Sequence, residues 1–266
     1  MKYLTLNNGI EMPVLGYGTW EVRGKAGLRA LHYAIEAGYR LIDTAHMYEN
    51  EDIVGEAVQQ SGLSRSEFFI TTKLDSRSNS YDKACRGIEL SLRNLQCDYI
   101  DLMLIHENYS NSDQMYKALR EALNNGMVRS IGISNFREEA YLSFIERCGI
   151  IPAVNQMESH IYHAQLGYKQ LLARHGTVFQ SWSPFTSGER KVFDEPLLKQ
   201  IALRYDSTLA QIVLAFLISQ GIAVIPRTLN PEHMIKNMLS LELKLSPDDI
   251  EAIKSLDEGR SLFGWY

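Results

Sequence analysis

Short apolar runs alternate with stretches of helical spacing along the whole chain. This alternation is typical of repeated β-α units packed side by side. After a hairpin around residues 7–9, the pattern predicts strands at residues 14–15, 40–42, 68–72, 99–105, 130–133, 153–155, 178–181 and 222–225. Helical spacing is clearest at residues 28–36, 51–59, 85–95, 115–123 and 140–146.

The spacing of these units favours a closed barrel. Gly38, Gly126 and Gly149 stand just before strands, where a left-handed residue commonly ends a helix. Eight units without a linker predict one α/β domain over residues 1–266, a (β/α)8 TIM barrel with an N-terminal β-hairpin. The alternative, a doubly wound sheet, is disfavoured because GYGT at 16–19 lacks the third glycine of a dinucleotide fingerprint.

Composition and charge exclude several classes of partner and location. The formal net charge of -5 over 266 residues provides no basic stripe for nucleic acid. The three cysteines form no CxxC pair, so we expect neither a disulfide framework nor a zinc knuckle. Residues 1–9 lack the apolar core of a signal peptide, and the longest apolar run, 212–218, is far shorter than the roughly 20 residues of a membrane span. We therefore expect a cytoplasmic protein without a membrane segment.

Three predicted strands end in chemically active side chains. The second, third and fourth strands lead into Asp43, Lys73 and His106, and the carboxyl ends of barrel strands carry the active site. Taken singly, such residues are also explained by helix capping, solvation or core packing. Tyr48, five residues after Asp43, lies in a loop that can reach the same end of the barrel.

Together these four side chains suit acid catalysis on a carbonyl. We expect Lys73 to lower the pKa of Tyr48, Asp43 to orient Lys73, and His106 to bind the carbonyl oxygen. No flavin or metal motif occurs in the sequence, so hydride from a nicotinamide cofactor is the natural complement to one proton donor.

The chain resembles the aldo-keto reductase family, in particular small bacterial and plant-type members similar to 2,5-diketo-D-gluconate reductases. The resemblance rests on GYGTW at 16–20, GYRLIDTA at 38–45, IGISNF at 131–136, VNQME at 154–158, WSP at 182–184 and IPRT at 225–228. It implies that Asp43, Tyr48, Lys73 and His106 form the catalytic tetrad. The reaction it implies is NADPH-dependent reduction of an aldehyde or ketone by a monomeric enzyme.

The same resemblance implies a set of cofactor contacts. Ser134, Asn135 and Gln156 would bind the nicotinamide carboxamide, and Trp182 would stack on the ring. Arg227 and Thr228 would bind the 2′-phosphate of NADPH. The other residues implied to contact the cofactor are Thr19, Asp43, Ser183, Phe185, His233 and Asn237, with Ser183 and Phe185 over the pyrophosphate and Asn237 at the adenine.

Two departures from the family pattern affect specificity. His233 stands where relatives usually carry an arginine, so NADH becomes a possible second cofactor as protonation of the imidazole declines. His106 is followed by Glu107 where relatives have Trp-Pro. Trp20 would still form one aromatic wall of the substrate pocket, and a carboxylate near its entrance predicts better tolerance of bulky or cationic substrates than of anionic ones.

Other functions stay open at this stage. Lys73 could form a Schiff base in an aldolase, and some proteins of this fold serve as non-catalytic cofactor-sensing subunits. A metal-dependent hydrolase is disfavoured because no strand end carries clustered ligands, and we expect no metal. The C-terminal residues Phe263, Trp265 and Tyr266 could either reach the barrel mouth or pack on the outer helices.

Overall fold

The computed structural model describes residues 1–264 and shows eight parallel strands in a ring. An antiparallel hairpin comes first, formed by β1 (Tyr3–Thr5) and β2 (Glu11–Pro13). The ring contains β3 (Gly16–Gly18), β4 (Leu41–Asp43), β5 (Phe69–Leu74), β6 (Leu102–Ile105), β7 (Ile131–Ser134), β8 (Val154–Glu158), β9 (Val178–Trp182) and β10 (Ala223–Val224). The predicted TIM barrel with its N-terminal hairpin is confirmed.

The first and last strands meet and close the ring. The backbone N–H of Val224 donates to the carbonyl of Val14 at 2.8 Å, and that of Gly18 donates to the carbonyl of Pro226 at 3.1 Å. All other neighbours follow chain order, from β3 to β10.

Helices connect the strands around the outside. They are α1 (Gly24–Glu36), α2 (Glu51–Gln60), α3 (Tyr81–Leu95), α4 (Ser112–Asn124), α5 (Glu138–Cys148), α6 (Leu166–Arg174), α7 (Pro196–Arg204), α8 (Leu209–Ser219), α9 (Pro231–Leu239) and α10 (Pro247–Lys254). Gly38, Gly126 and Gly149 have φ values of 101°, 74° and 65°, as their positions at helix ends predict. The strand β9 is followed by two helices, as is β10.

The two-residue period of the strands sorts side chains into two cores. Ile42, Met103 and Phe179 belong to the large apolar cluster formed with the helices. Leu41, Leu104 and Val154 belong to a second cluster inside the barrel, together with Leu6 and Met12 of the hairpin region. Residues two positions further along β4, β6 and β8 point inward again. This alternation brings Asp43, His106 and Gln156 to one end of the barrel.

The first barrel strand was predicted two residues too early. It runs over Gly16–Gly18, and Leu15 makes only an isolated bridge to Val224. The glycines are needed because neighbouring strands approach closely: a Cβ at Gly16 would lie 1.7 Å from Cδ2 of Leu41, and one at Gly18 would lie 2.7 Å from the carbonyl oxygen of Ile225. Glycine in a strand interior commonly marks such an approach, whereas the apolar pattern alone passes over it.

The remaining strand predictions overlap the observed strands. The strand expected at 99–105 begins only at Leu102, and the one expected at 153–155 continues to Glu158. The three cysteines are free thiols. Among residues 1–264, no single helix has the length and apolar character of a membrane span, although α7 and α8, bent by 89°, pass that test as a pair.

Candidate active site

Lys73 is the centre of a buried polar group at the carboxyl end of the barrel. Its Nζ donates hydrogen bonds to Oδ1 of Asp43 at 2.6 Å, to the carbonyl oxygen of Thr44 at 2.9 Å and to the hydroxyl of Tyr48 at 3.3 Å. Lys73 and Asp43 are both almost fully buried. The structure thus brings together three of the four residues that the sequence predicts for catalysis.

The loop that carries Tyr48 is held in place by Asn50. Tyr48 ends a short 3₁₀ turn that follows β4. The buried Asn50 accepts a hydrogen bond from the hydroxyl of Thr44 at 2.6 Å and donates to the carbonyl oxygens of Thr19 and Val22 at 2.8 and 2.9 Å. Sequence reasoning missed Asn50 because a polar loop residue gives no sign that it is buried.

Burial and charge act in opposite directions on this group. Burial alone would lower the pKa of Lys73, but Asp43 and Tyr48 raise it above its ordinary value, so the ammonium stays charged. Burial also raises the pKa of Tyr48; Lys73 opposes the rise, while Asp43 and Glu107 add to it. The expectation of a net decrease in the Tyr48 pKa is therefore wrong. The phenol stays protonated, which is the form that can give up a proton.

The aromatic rings of His106 and Trp20 both lie close to the ring of Tyr48. The ring of His106 is 5.7 Å from that of Tyr48, and the exposed indole of Trp20 is 5.0 Å from it, both in edge-to-face orientation. Burial, with help from Lys73, lowers the pKa of His106 well below its ordinary value. The imidazole is therefore neutral, and its buried Nδ1 has no hydrogen-bond partner among the described residues.

Gln156 connects the Asp43 carboxylate with the side chain of Gln180 through hydrogen bonds. Its Nε2 donates to Oδ2 of Asp43 and to Oε1 of Gln180, each at 2.7 Å. The hydroxyl of Ser134 donates to the backbone carbonyl of Gln156 at 2.9 Å. Gln156 thus contacts the tetrad and Ser134 contacts Gln156, while their bonds to a nicotinamide stay predictions. Gln180 is a further inward amide that the motifs did not single out.

Asn135 links two other loops at this end of the barrel. It adopts a left-handed backbone conformation, with φ of 61°, just after β7. Its Nδ2 donates to Oε1 of Glu107 at 2.7 Å, and its Oδ1 accepts from the indole N–H of Trp182 at 2.9 Å. Burial raises the pKa of Glu107 to about 7, and the bond from Asn135 counteracts part of that rise. The contact between Glu107 and Asn135 was not foreseen from the sequence.

The loop after β10 places a cation opposite the loop after β3. The exposed side chain of Arg227 forms an ion pair with Glu21, whose backbone is left-handed with φ of 60°. Thr228 accepts a hydrogen bond at its carbonyl from the hydroxyl of Tyr17 at 2.8 Å. His233 is exposed on the first turn of α9. The role of these residues as a phosphate site stays a prediction, and Glu21 was not identified from the sequence.

Of the four other predicted cofactor contacts, two are buried and two are half-buried. Thr19 is fully buried, and its hydroxyl donates to the carbonyl of Asp43 at 2.9 Å. Asn237 is also buried and forms a hydrogen bond with Tyr39. Ser183 and Phe185 are half-buried after β9, the first bonded to Ser187 at 2.5 Å and the second packed 5.5 Å from Phe193. Thr19 and Asn237 are thus occupied by protein contacts.

Part of the C-terminal tail reaches this end of the barrel. The buried Glu158, at the end of β8, accepts hydrogen bonds from the hydroxyl of Ser261 at 2.5 Å and the backbone N–H of Leu262 at 2.9 Å. Phe263 then packs edge-to-face on Trp182 at 4.9 Å. Phe263 therefore lies at the mouth, whereas Trp265 and Tyr266, which were considered for the same role, lie outside the described residues.

The described part of the chain contains no group of three or more His, Cys, Asp or Glu side chains that could hold a metal ion. The chemistry available at this end of the barrel comes from a phenol, a charged lysine and a neutral imidazole. These groups can supply a proton, stabilise the anion left behind and bind a carbonyl oxygen.

Comparison with known proteins identifies the family. Residues 14–258 match the model of the aldo/keto reductase family. The chain belongs to this family. Methylglyoxal reductase DkgA of Yersinia pestis is 37% identical and aligns with 97% of this chain and 94% of its own. Morphine 6-dehydrogenase of Pseudomonas putida is 36% identical, with coverages of 96% and 91%.

A solved structure extends the comparison to the cofactor. The aldo-keto reductase of Bombyx mori in complex with NADP superposes with a TM-score of 0.92, at 28% identity, over 98% of this chain and 94% of that chain. The predicted membership of this family is confirmed, and with it an oxidoreductase on a TIM barrel. Aldo-keto reductases act on small carbonyl compounds with nicotinamide cofactors.

Proposed function

We propose that this aldo-keto reductase converts an aldehyde or ketone to its alcohol, using NADPH as hydride donor and Tyr48 as proton donor. The observation that carries the proposal is the buried Lys73 ammonium, held between the Asp43 carboxylate and the Tyr48 hydroxyl at 2.6 and 3.3 Å. A fixed cation beside a phenol stabilises the phenolate that forms when the proton leaves.

The protein side chains divide the acid chemistry among them. Tyr48, protonated before the reaction, transfers its proton to the carbonyl oxygen as negative charge develops there. Lys73 stabilises the resulting phenolate, and Asp43 keeps Lys73 charged and oriented. The neutral His106 can donate one hydrogen bond to the same oxygen, which fixes the carbonyl against Tyr48.

The residues around the tetrad fit a nicotinamide dinucleotide. Bound NADPH would supply the hydride. The side chains of Asn135, Gln156 and Trp182 would hold its nicotinamide, and Arg227, Thr228 and His233 its 2′-phosphate. Arg227 is exposed beside the start of α9, and cationic side chains near a helix N-terminus favour a phosphate. NADH is the second cofactor to test because His233 stands where relatives usually carry an arginine.

The Schiff-base alternative is opposed by the state of Lys73. A nucleophilic amine must be unprotonated, whereas Asp43 and Tyr48 raise the pKa of Lys73 and keep it charged. Its Nζ already donates three hydrogen bonds within the protein. These contacts suit a fixed cation better than an attacking group.

The test is the loss of NADPH absorbance with methylglyoxal, other α-dicarbonyls and simple aldehydes, in wild type and in Tyr48→Phe. We expect turnover in wild type and a loss of at least about 100-fold in the variant. NADPH binding, followed by fluorescence, should be nearly unchanged. Retention of most activity in Tyr48→Phe would refute the role of Tyr48. Tight NADPH binding by wild type without turnover of any carbonyl would favour a cofactor-sensing protein instead.

A further inference from the structure

Glu107 places a carboxylate next to the residues proposed to hold the nicotinamide. It follows His106 directly, in the loop between β6 and α4, and its side chain is half-buried. None of the ion pairs within residues 1–264 includes Glu107. The Asn135 amide, at 2.7 Å, is its hydrogen-bond donor. The carboxylate therefore has an amide for a partner and no counter-ion among residues 1–264.

The bond from Asn135 sets the orientation of its amide. A carboxylate only accepts hydrogen bonds, so the nitrogen of Asn135 must face Glu107. The same nitrogen lies 3.3 Å from the carbonyl oxygen of His106, while Oδ1 accepts from the indole of Trp182 at 2.9 Å. A carbonyl oxygen has two lone pairs, so Oδ1 retains one acceptor site for the N–H of a carboxamide.

The charges of the four tetrad side chains cancel or are absent. Asp43 and Lys73 form a buried pair at 2.6 Å, and both Tyr48 and His106 are neutral. Ionised Glu107 thus gives this group of side chains a net charge of about −1. Two successive hydrogen bonds, through Asn135, would bring its charge within roughly 6 Å of a bound carboxamide.

We propose that Glu107 sets the redox-state preference of the cofactor site, because its carboxylate favours the oxidised, cationic nicotinamide over the reduced, neutral one. The inference rests on the proposed function, since it takes the nicotinamide to bind at Asn135 and Trp182. It concerns the relative affinity for NADP⁺ and NADPH, and hence the balance between alcohol oxidation and carbonyl reduction on the enzyme.

The experiment compares the Kd values of NADP⁺ and NADPH, measured by calorimetry with wild type and Glu107→Gln. Glutamine keeps the shape of the side chain and a hydrogen-bond acceptor while removing the charge. We expect the ratio of Kd for NADP⁺ to Kd for NADPH to rise by about three- to tenfold in the variant. Glu11→Gln, which removes an exposed carboxylate from the hairpin at the opposite end of the barrel, should leave the ratio unchanged.

A ratio that is the same in Glu107→Gln and wild type would overturn the inference. Failure of wild type to bind either cofactor would instead refute the proposed function, so the two failures are distinct. If Glu107→Gln does not fold, the wild-type ratio measured at about pH 6 and about pH 8 decides, because ionisation of Glu107 then strengthens only the binding of NADP⁺.

The tyrosine, histidine and lysine side chains whose shifted pKa values bear on this comparison keep one charge state between about pH 6 and about pH 8. The pKa values of Tyr48 and Tyr109 are raised by burial, so both stay neutral. His106 stays neutral and Lys73 stays charged over the same range. Titration of the 2′-phosphate affects both cofactors alike and cancels in the ratio. An unchanged ratio over this range would also overturn the inference.

Discussion

The Nζ of Lys73 lies 2.6 Å from Oδ1 of Asp43, and neither side chain is more than 1% exposed. Removing two charges from water costs several kcal/mol per ion, and the mutual attraction repays this only when the geometry is good. A third contact, from Lys73 to Tyr48 at 3.3 Å, connects the pair to the proposed proton donor. An apolar replacement of the pair could not make this contact.

The Asp43–Lys73 pair should show strong coupling in stability. Asp43→Asn leaves a buried ammonium without a counter-ion, and we expect a loss of about 3–5 kcal/mol in the free energy of unfolding. The double variant Asp43→Leu with Lys73→Met should recover much of this loss because no buried charge remains. Urea denaturation measures both. A single variant as stable as wild type would contradict the buried, charged state of Lys73.

Lys73→Met should remove activity without removing the cofactor site. We expect kcat to fall by at least about 100-fold because the phenolate of Tyr48 loses its stabilising cation. The Kd of NADPH, read by fluorescence, should change little because Lys73 is not among the proposed cofactor contacts. Circular dichroism confirms that the variant is folded. An equal loss of cofactor affinity would assign Lys73 to binding instead of proton transfer.

His106 should make the protein less stable in mild acid. Its pKa in the folded state lies well below 6.5, so between that value and 6.5 the unfolded chain binds a proton that the folded protein does not. Stability from this source is complete above pH 6.5 and falls by up to about 1.4 kcal/mol per pH unit below it. The free energy of unfolding, measured by urea denaturation at several pH values in this range, should fall less steeply with decreasing pH in His106→Gln than in wild type. The same pH dependence in both proteins would show that His106 titrates normally.

Cofactor choice should respond to two substitutions near Arg227. His233→Arg supplies a permanent charge, and Glu21→Gln releases Arg227 from its ion pair. Each should raise the ratio of NADPH to NADH affinity, by roughly two- to fivefold, because these exposed groups are screened by solvent. Calorimetric Kd values for both cofactors test this. An unchanged or lower ratio in both variants would place the 2′-phosphate elsewhere.

Substrate charge should matter at the pocket entrance. Ionised Glu107 attracts cations, so wild type should reduce a benzaldehyde carrying a para-trimethylammonium group with a higher kcat/KM than one carrying a para-carboxylate. We expect Glu107→Gln to reduce this preference by about three- to tenfold while leaving a neutral para-tert-butyl analogue nearly unaffected. A preference that persists in the variant would assign it to a group other than Glu107.

Three members of the proposed tetrad could be found in the sequence because they follow one rule about where barrel strands end. Polar residues at the ends of barrel strands share one mouth, and the strands ending in Asp43, Lys73 and His106 have clear apolar runs. The family motifs then added the cofactor contacts. The single domain, the monomeric state, the cytoplasmic location and the roles of these residues stay predictions.

What escaped prediction depends on contacts between distant segments. The ion pair of Glu21 with Arg227 and the hydrogen bond of Glu107 with Asn135 each join loops that follow different strands. Periodicity within a strand contains no information about such pairs. The direction of the Tyr48 pKa was missed for a related reason. The cost of burial depends on everything around the phenol, whereas the sequence suggested only the nearby cation.

The seam where the ring closes joins residue 18 to residue 226, and the loop with Arg227 and Thr228, which we propose to bind the 2′-phosphate, starts there. During synthesis, the free edge of the first barrel strand stays unpaired until the last strand has been made. A cofactor held both by Arg227, just after the last strand, and by Gln156 in β8 would bind only the folded barrel. Ligand binding then adds to stability in proportion to the logarithm of its concentration over Kd. A cell rich in the dinucleotide would therefore keep a larger fraction of newly made chains folded, with the ring closed.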